Sequence, residues 1–220
     1  MMMGFFVTGT DTEVGKTRIS IALVDILKQH VQRVAVMKPI ASGCEKTTQG
    51  LRNDDAMQLQ QHANVVLPYD MMNPYAFEPA IAPHIAAKQD NVEMDLAHIK
   101  QNFDAILQQA DAIIVEGAGG WLVPLNSTQT MSDLAIVLDL PIILVVSLKL
   151  GCINHALLTV QAIESSGLKL HGWVANQIEP NEQTEEIVKT LQHGISAPCL
   201  GHVLQLEAGE SASQFLKLTL

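Results

Sequence analysis

The chain has 220 residues, 48% of them hydrophobic and 16% charged, the proportions of a compact α/β protein with a sizeable core and not of a disordered chain. With 13 Lys+Arg against 23 Asp+Glu it carries a formal net charge of −10, which is repelled by phosphate backbones and anionic lipid and argues against nucleic acid or a membrane surface as partner. Cys44, Cys152 and Cys199 are odd in number and far apart, and no H-E-x-x-H pattern occurs, so neither a disulfide frame nor a zinc site is expected.

Residues 4–10, GFFVTGT, have the pattern of a short strand running into a loop. Residues 17–30, TRISIALVDILKQH, follow as a helix with Ile19, Leu23, Ile26 and Leu27 on one face. The start has no positive n-region and too short an apolar run for a signal peptide. Met3-Gly4-x-x-x-Thr8 fits a myristoylation pattern, but Phe5 to Thr8 are needed by the strand. A second strand is predicted over 33–40, RVAVMKPI, cut by Pro39, and a helix over 53–63. Residues 67–87 are proline-rich and predicted irregular, and 94–110 form an amphipathic helix. Strands over 111–120, 141–150 and 170–176 then alternate with helices over 131–140, 154–167 and 181–194. The most apolar stretch, LPIILVVSL, is bounded by Asp139 and Lys149 and is too short to span a bilayer.

Strands that are apolar throughout and separated by helices predict a P-loop NTPase-like α/β fold: a central, mostly parallel sheet with helices on both faces. No repeat, low-complexity segment or linker divides the chain, so a single domain over residues 1–220 is expected, soluble and cytoplasmic. Ligands in such folds sit at the carboxyl ends of the strands, and the unusual residues fall there.

The stretch VTGTDTEVGKTRIS departs from the usual G-x-x-x-x-G-K-[ST] loop. Thr10 stands where the first glycine belongs, and Gly9 lies one step earlier. Its strand-loop-helix context is nevertheless that of a phosphate site, with Lys16 neutralising the β/γ oxygens of a nucleotide and Thr17 reaching Mg²⁺. In AIIVEGAGG, Glu116 ends an apolar run beside that loop, where a carboxylate can ligate or orient the metal, and Gly117, Gly119 and Gly120 let backbone approach a ligand. Of Asp54 and Asp55, one reads as a helix cap and the other as a candidate metal carboxylate. Lys38, before Pro39 and the small turn Ala41-Ser42-Gly43, is placed to meet an anion across a solvated site, holding up no core. In KLGCINHA, Gly151 to Asn154 form a helix start suited to an anion, with Asn154 as a possible cap; His155 reads as structural.

FVTGTDTEVGKT, KPIASG, LRNDDA, NPYAF…PHI, VEGAGGW, ILVVSLKLGCINHALLT and GWVAN, in this order over about residues 5–177, resemble the dethiobiotin synthetase family. The resemblance implies formation of the ureido ring of dethiobiotin from 7,8-diaminononanoate, CO₂ (as bicarbonate) and MgATP, through a carbamate and a carbamic–phosphoric anhydride. It implies a homodimer with the active site at the subunit interface. It also implies that Thr17, Asp55 and Glu116 hold Mg²⁺. The nucleotide then contacts Glu13, Val14, Gly15, Lys16, Thr17, Asp55, Glu116, Gly117 and Gly119, with Asn176 and Gln177 at the adenine. Thr12, Lys16, Lys38 and Ser42 surround the reacting groups, and Thr12, Lys38, Ser42 and Gly119 meet the diamine end of the substrate. Gly151, Cys152, Ile153 and Asn154 of the second subunit receive its carboxylate. The chain departs from the family at GHVL, where Leu204 replaces a proline near the adenine, so base preference does not follow from the resemblance.

Two rivals share parts of this pattern. Regulatory ATPases of the partition and septum-site kind carry a lysine four residues before Gly15, where this chain has Asp11, which cannot neutralise phosphate. A related amide-forming ligase acting on another metabolite would be told apart by KLGCINHA.

Overall fold

The structure, a computed structural model, describes residues 3–206 and 210–218. In chain order the first half comprises β1 (Met3–Gly9), α1 (Lys16–Leu27), β2 (Val34–Met37), β3 (Ile40–Ala41), β4 (Glu45–Thr47), β5 (Gly50–Arg52), α2 (Asp54–His62), α3 (Tyr69–Met72), β6 (Tyr75–Ala76) and α4 (Pro83–Gln89). The second half comprises α5 (Leu96–Leu107), β7 (Ala112–Gly120), α6 (Met131–Leu138), β8 (Ile142–Ser147), α7 (Cys152–Ser165), β9 (Leu170–Asn176), α8 (Thr184–Gly194), β10 (Cys199–Val203) and a 3-10 turn, Ala212–Phe215.

Six strands form one parallel sheet in the order β10-β9-β8-β1-β7-β2. Because strand residues alternate between faces, the unbroken apolar runs supply two cores. Phe5, Val7, Ile114, Ile143 and Val145 pack on one face against Ile19, Leu23 and Leu27 of α1 and Leu59 of α2. Phe6, Ile113, Val115 and Ile142 pack on the other against Ile99 and Phe103 of α5 and Leu134 of α6. That second layer continues where Leu144, Val146, Trp173 and Ala175 meet Ala156 and Val160 of α7 and Leu191 of α8. The chain leaves central β1 for β2 on one side, returns to β7, and then crosses to β8 on the other side. The carboxyl ends of β1, β7 and β8 therefore meet at a topological switch point.

The predicted elements are present, with boundary differences that have local causes. Pro39 ends β2 at Met37, and the residues beyond it pair separately with β6. Helix α6 stops at Leu138 because Asp139 turns left-handed at φ 51. Helix α7 begins at Cys152, two residues before the predicted start, and α8 at Thr184, three after it. The stretch predicted irregular holds α3, β6 and α4. The sixth strand, CLGHV, was not predicted, because its glycine and histidine interrupt any apolar run. Residues 207–209 and 219–220 of the tail beyond Leu204 lie outside the described residues.

Candidate active site

The loop after β1 turns tightly, with Glu13 at φ 59 and Gly15 at φ 88, and helix α1 starts at Lys16 with no side-chain cap and no acid in its first turn. Its first bond is Ile19 N–H to the Gly15 carbonyl, so the N–H groups of Lys16, Thr17 and Arg18 have no protein acceptor among the described residues. A helix start left open in this way suits an anion. Gly15 cannot carry a side chain: a Cβ there would lie 2.1 Å from the Asn176 Nδ2. Gly15→Ala is expected to lose at least about 1–3 kcal/mol of stability from the left-handed backbone alone, with further loss from displacing Asn176. Thermal denaturation checks this, and an unchanged midpoint would mean that neither the left-handed backbone at Gly15 nor Asn176 constrains the loop.

Four of the expected residues are joined directly. The Lys38 ammonium donates to Glu116 Oε1 at 2.5 Å and to Asp55 Oδ2 at 2.9 Å, and the Thr17 hydroxyl donates to the same Glu116 oxygen at 2.9 Å. Glu116 is 0% and Lys38 only 4% exposed, which corrects the expectation of a solvated Lys38. Lys38 comes to this place because Pro39 stops the strand and its flanking backbone is gripped. Its N–H donates to the Met72 carbonyl, and its own carbonyl accepts from Asn73 Nδ2. The Tyr69 hydroxyl donates to Asn73 and accepts from the Asn53 N–H at the start of α2. Helix α3 thus holds both Lys38 and the helix that carries Asp55. Sequence reasoning missed this frame, whose only signal was a tyrosine and an asparagine in a proline-rich stretch.

The charges are tuned by this packing. Burial lowers the Lys16 ammonium to about 8; Glu116, Asp55 and Asp11 oppose that fall, and the charge of Lys38 adds to it. Burial alone would lower Lys38, but Glu116 and Asp55 outweigh it and hold Lys38 above its ordinary value. Burial would likewise raise Asp55, yet Lys38, Thr17 and Lys16 keep it below the usual carboxylate range. Lys16 folds back to donate to the Asp11 carbonyl at 2.9 Å.

The oxygen set fits a small hard cation. Glu116 Oε2 is buried with no hydrogen-bond partner, beside the Thr17 hydroxyl and the Asp55 carboxylate. No group of three or more His, Cys, Asp or Glu that could hold a metal occurs among the described residues. A site of two carboxylates and a hydroxyl is completed by phosphate oxygens and water, which is how Mg²⁺ is usually held beside nucleotides. The helix cap is neither aspartate: Asn53 caps α2 by accepting from the Ala56 N–H, and Asp54 turns outward to Gln58.

The remaining expected residues surround this centre. Gly119, at φ 64, brings β7 close to Thr12, whose Oγ1 is 3.6 Å from where a Cβ would stand, and Thr12 and Glu13 are exposed. Gly117 packs on the Phe6 ring. Ser42 has a buried hydroxyl without a partner, and its carbonyl accepts from Asn53. Asn176, 0% exposed, donates from Nδ2 to the Val14 carbonyl at 2.8 Å and accepts from Arg18 at Oδ1, so in this conformation it braces the phosphate loop. Gln177 bonds through its N–H to the Val203 carbonyl, bringing the end of β10 alongside.

A groove of about 410 Å³ leads away from Thr10 and Asp11, floored by Trp121 and Val123 and walled by Leu158 and Ala162 of α7. At the start of α7, Gly151 at φ 91 is the cap residue, so Asn154 lies inside the first turn and is not the cap. The N–H groups of Ile153 and Asn154 have no protein acceptor among the described residues, and Leu150 before them is fully exposed. Among the described residues the ion pair between this helix start and the phosphate loop is Lys149 with Asp11, 3.6 Å apart. It is not joined to the Lys38 centre.

A family model described as an AAA domain matches residues 3–212. A protein from Pseudomonas aeruginosa (strain UCBPP-PA14) named ATP-dependent dethiobiotin synthetase is 50% identical over 214 residues, covering 96% of this chain and 94% of that protein. One of the same name from Cellvibrio japonicus is 46% identical over 98% of this chain and 96% of its own length, and one from Escherichia coli O157:H7 is 48% identical over 91% and 90%. Among solved structures, the MinC:MinD cell division complex of Aquifex aeolicus aligns with TM-score 0.59 at 16% identity, over 93% of this chain and 82% of that one. A ParA family ATPase from Chlorobium tepidum aligns with TM-score 0.54 at 15% identity, over 94% and 86%. At such identities these two share the P-loop NTPase fold alone.

Proposed function

We infer the chemistry of this site from one premise: the chain belongs to the ATP-dependent dethiobiotin synthetase family, on an AAA-type domain. It is an ATP-dependent ligase that closes C–N bonds. The finer reading is that one amine of 7,8-diaminononanoate adds to CO₂ and loses a proton, giving a carbamate. A carbamate oxygen attacks the γ-phosphorus of ATP and ADP leaves. The second amine then attacks the carbonyl carbon of the mixed anhydride, phosphate leaves with the electron pair, a proton is lost, and the cyclic urea is complete.

The observation that carries this reading is the pair of buried cations at the strand ends, Lys38 bonded to Glu116 and Asp55 and Lys16 within the field of the same two carboxylates. Every step gathers negative charge between carbamate and phosphate, and fixed cations stabilise that charge without a covalent intermediate on the protein. Lys16 and the free N–H groups of α1 grip the phosphates. Lys38, Thr12 and Ser42 face the carbamate, with the apolar groove beyond taking the hydrocarbon chain. Thr17, Asp55 and Glu116 would hold Mg²⁺, which supplies charge neutralisation at the phosphates. Glu13, Val14, Gly15, Gly117 and Gly119 lie along the nucleotide, and Asn176 and Gln177 meet its base. Gly151, Cys152, Ile153 and Asn154 of a second copy in a homodimer receive the substrate carboxylate. All these residues lie on one sheet and its flanking layers, which supports a single working domain. No described helix is long and apolar enough to cross a membrane, and the three cysteines are unpaired, which supports a cytoplasmic setting.

ATP turnover should require both diamine and bicarbonate, and mass spectrometry should find the cyclic urea. Fast hydrolysis with neither present, or stimulation by DNA or lipid, would sink the reading in favour of a regulatory ATPase. Asp11 already weighs against that rival, since it stands where those switches resemble one another in carrying lysine.

A further inference from the structure

Arg18 lies outside the phosphate-loop pattern, yet it stands in the first turn of α1. A cation at the positive end of a helix dipole is opposed by that dipole. Arg18 makes no ion pair with a carboxylate among the described residues that would offset this. Its Nη1 donates instead to Asn176 Oδ1 at 3.3 Å. The Asn176 amide cannot turn over, because Nδ2 must face the Val14 carbonyl at 2.8 Å. Its other side is therefore the acceptor Oδ1, and Arg18 Nη1 covers that acceptor.

This arrangement has consequences for a base arriving at Asn176. An exocyclic amino group, as on adenine, is a donor and must share or displace Arg18 to reach Oδ1. An exocyclic carbonyl, as on hypoxanthine, cannot bond to Oδ1 but finds complementary N–H groups on the guanidinium. At the neighbouring strand end Leu204, 45% exposed, offers no polar side-chain group to discriminate between them. We propose that Arg18 sets the base selectivity of this enzyme, relaxing it so that 6-oxopurine nucleotides are accepted alongside adenine nucleotides. The proposal rests on the reading above that the nucleotide base lies against Asn176.

The test compares ADP with IDP, which differ in a 6-amino group beside a bare N1 against a 6-oxo group beside an N1–H, by calorimetric binding in Mg²⁺, with the full chain. For the wild-type protein the two dissociation constants should lie within about fivefold. In Arg18→Val the IDP/ADP ratio should rise by at least about tenfold, the scale of one hydrogen bond from a charged donor. Arg18→Gln should move the ratio the same way, which keeps the test open if valine disturbs the helix. The ATP/ITP ratio of kcat/KM should follow the binding ratio. An unchanged ratio in both variants, or one that moves toward IDP, overturns the proposal while leaving the synthetase reading intact. Failure of the wild-type protein to bind either nucleotide would sink the nucleotide reading, and this inference with it.

Discussion

Lys38→Met should lower turnover by at least about a hundredfold, the scale of losing one charge contact made in the transition state. It should also destabilise the fold. The ammonium is the direct partner of Glu116, which is 0% exposed and has its second oxygen already unpartnered. Removing one member of a buried ion pair strands the other, at a cost of about 3–5 kcal/mol. The contact to Asp55 adds little to that figure, because the Asp55 side chain is 45% exposed and screened by solvent. The double variant Lys38→Met/Glu116→Gln removes both buried charges and should recover most of the lost stability while turnover stays low. Denaturant titration and steady-state rates separate the two effects. If the single variant were as stable as the wild-type protein, the buried pair would not exist in solution. If it turned over near normally, Lys38 would leave the mechanism.

This stability effect was hidden in the sequence for a physical reason. A lysine at the end of a strand is normally solvated, and what buries Lys38 is remote in sequence: Met72 and Asn73 hold its backbone, and Glu116 stands on the adjacent strand β7. The sheet itself was legible, since apolar runs such as PIILVVS have only one stable setting, covered on both faces. The meeting of Thr17 and Glu116 was legible because strand, loop and helix place the two beside one another whatever the details. The α2 cap was not, since Asn53, Asp54 and Asp55 are all good caps and only the backbone geometry chose Asn53. Strand β10 escaped because CLGHV has neither alternation nor an apolar run. Arg18 escaped because its partner is 158 residues away.

Two inactive variants should together restore about a quarter of wild-type activity if, as proposed, each site is shared between two chains. The substrate carries its amines near one end and a carboxylate at the other, and the chain offers two open helix starts, at Lys16 and at Cys152. In a twofold dimer the phosphate loop of one protomer can face the second helix start of its partner, and the arrangement occurs twice. Lys16→Ala disables the phosphate end. Asn154→Asp places a negative charge where the carboxylate docks, and being exposed in a first helical turn it should not weaken the fold. Each homodimer should be nearly inactive at low substrate. After random exchange roughly half the dimers are mixed, and each has one site with both lesions and one with neither, giving about one quarter of wild-type activity. If one chain held the whole substrate, every site would keep a lesion and the mixture would stay inactive. A mixture that remains inactive after exchange has been verified, with both variants still folded dimers, removes the shared site.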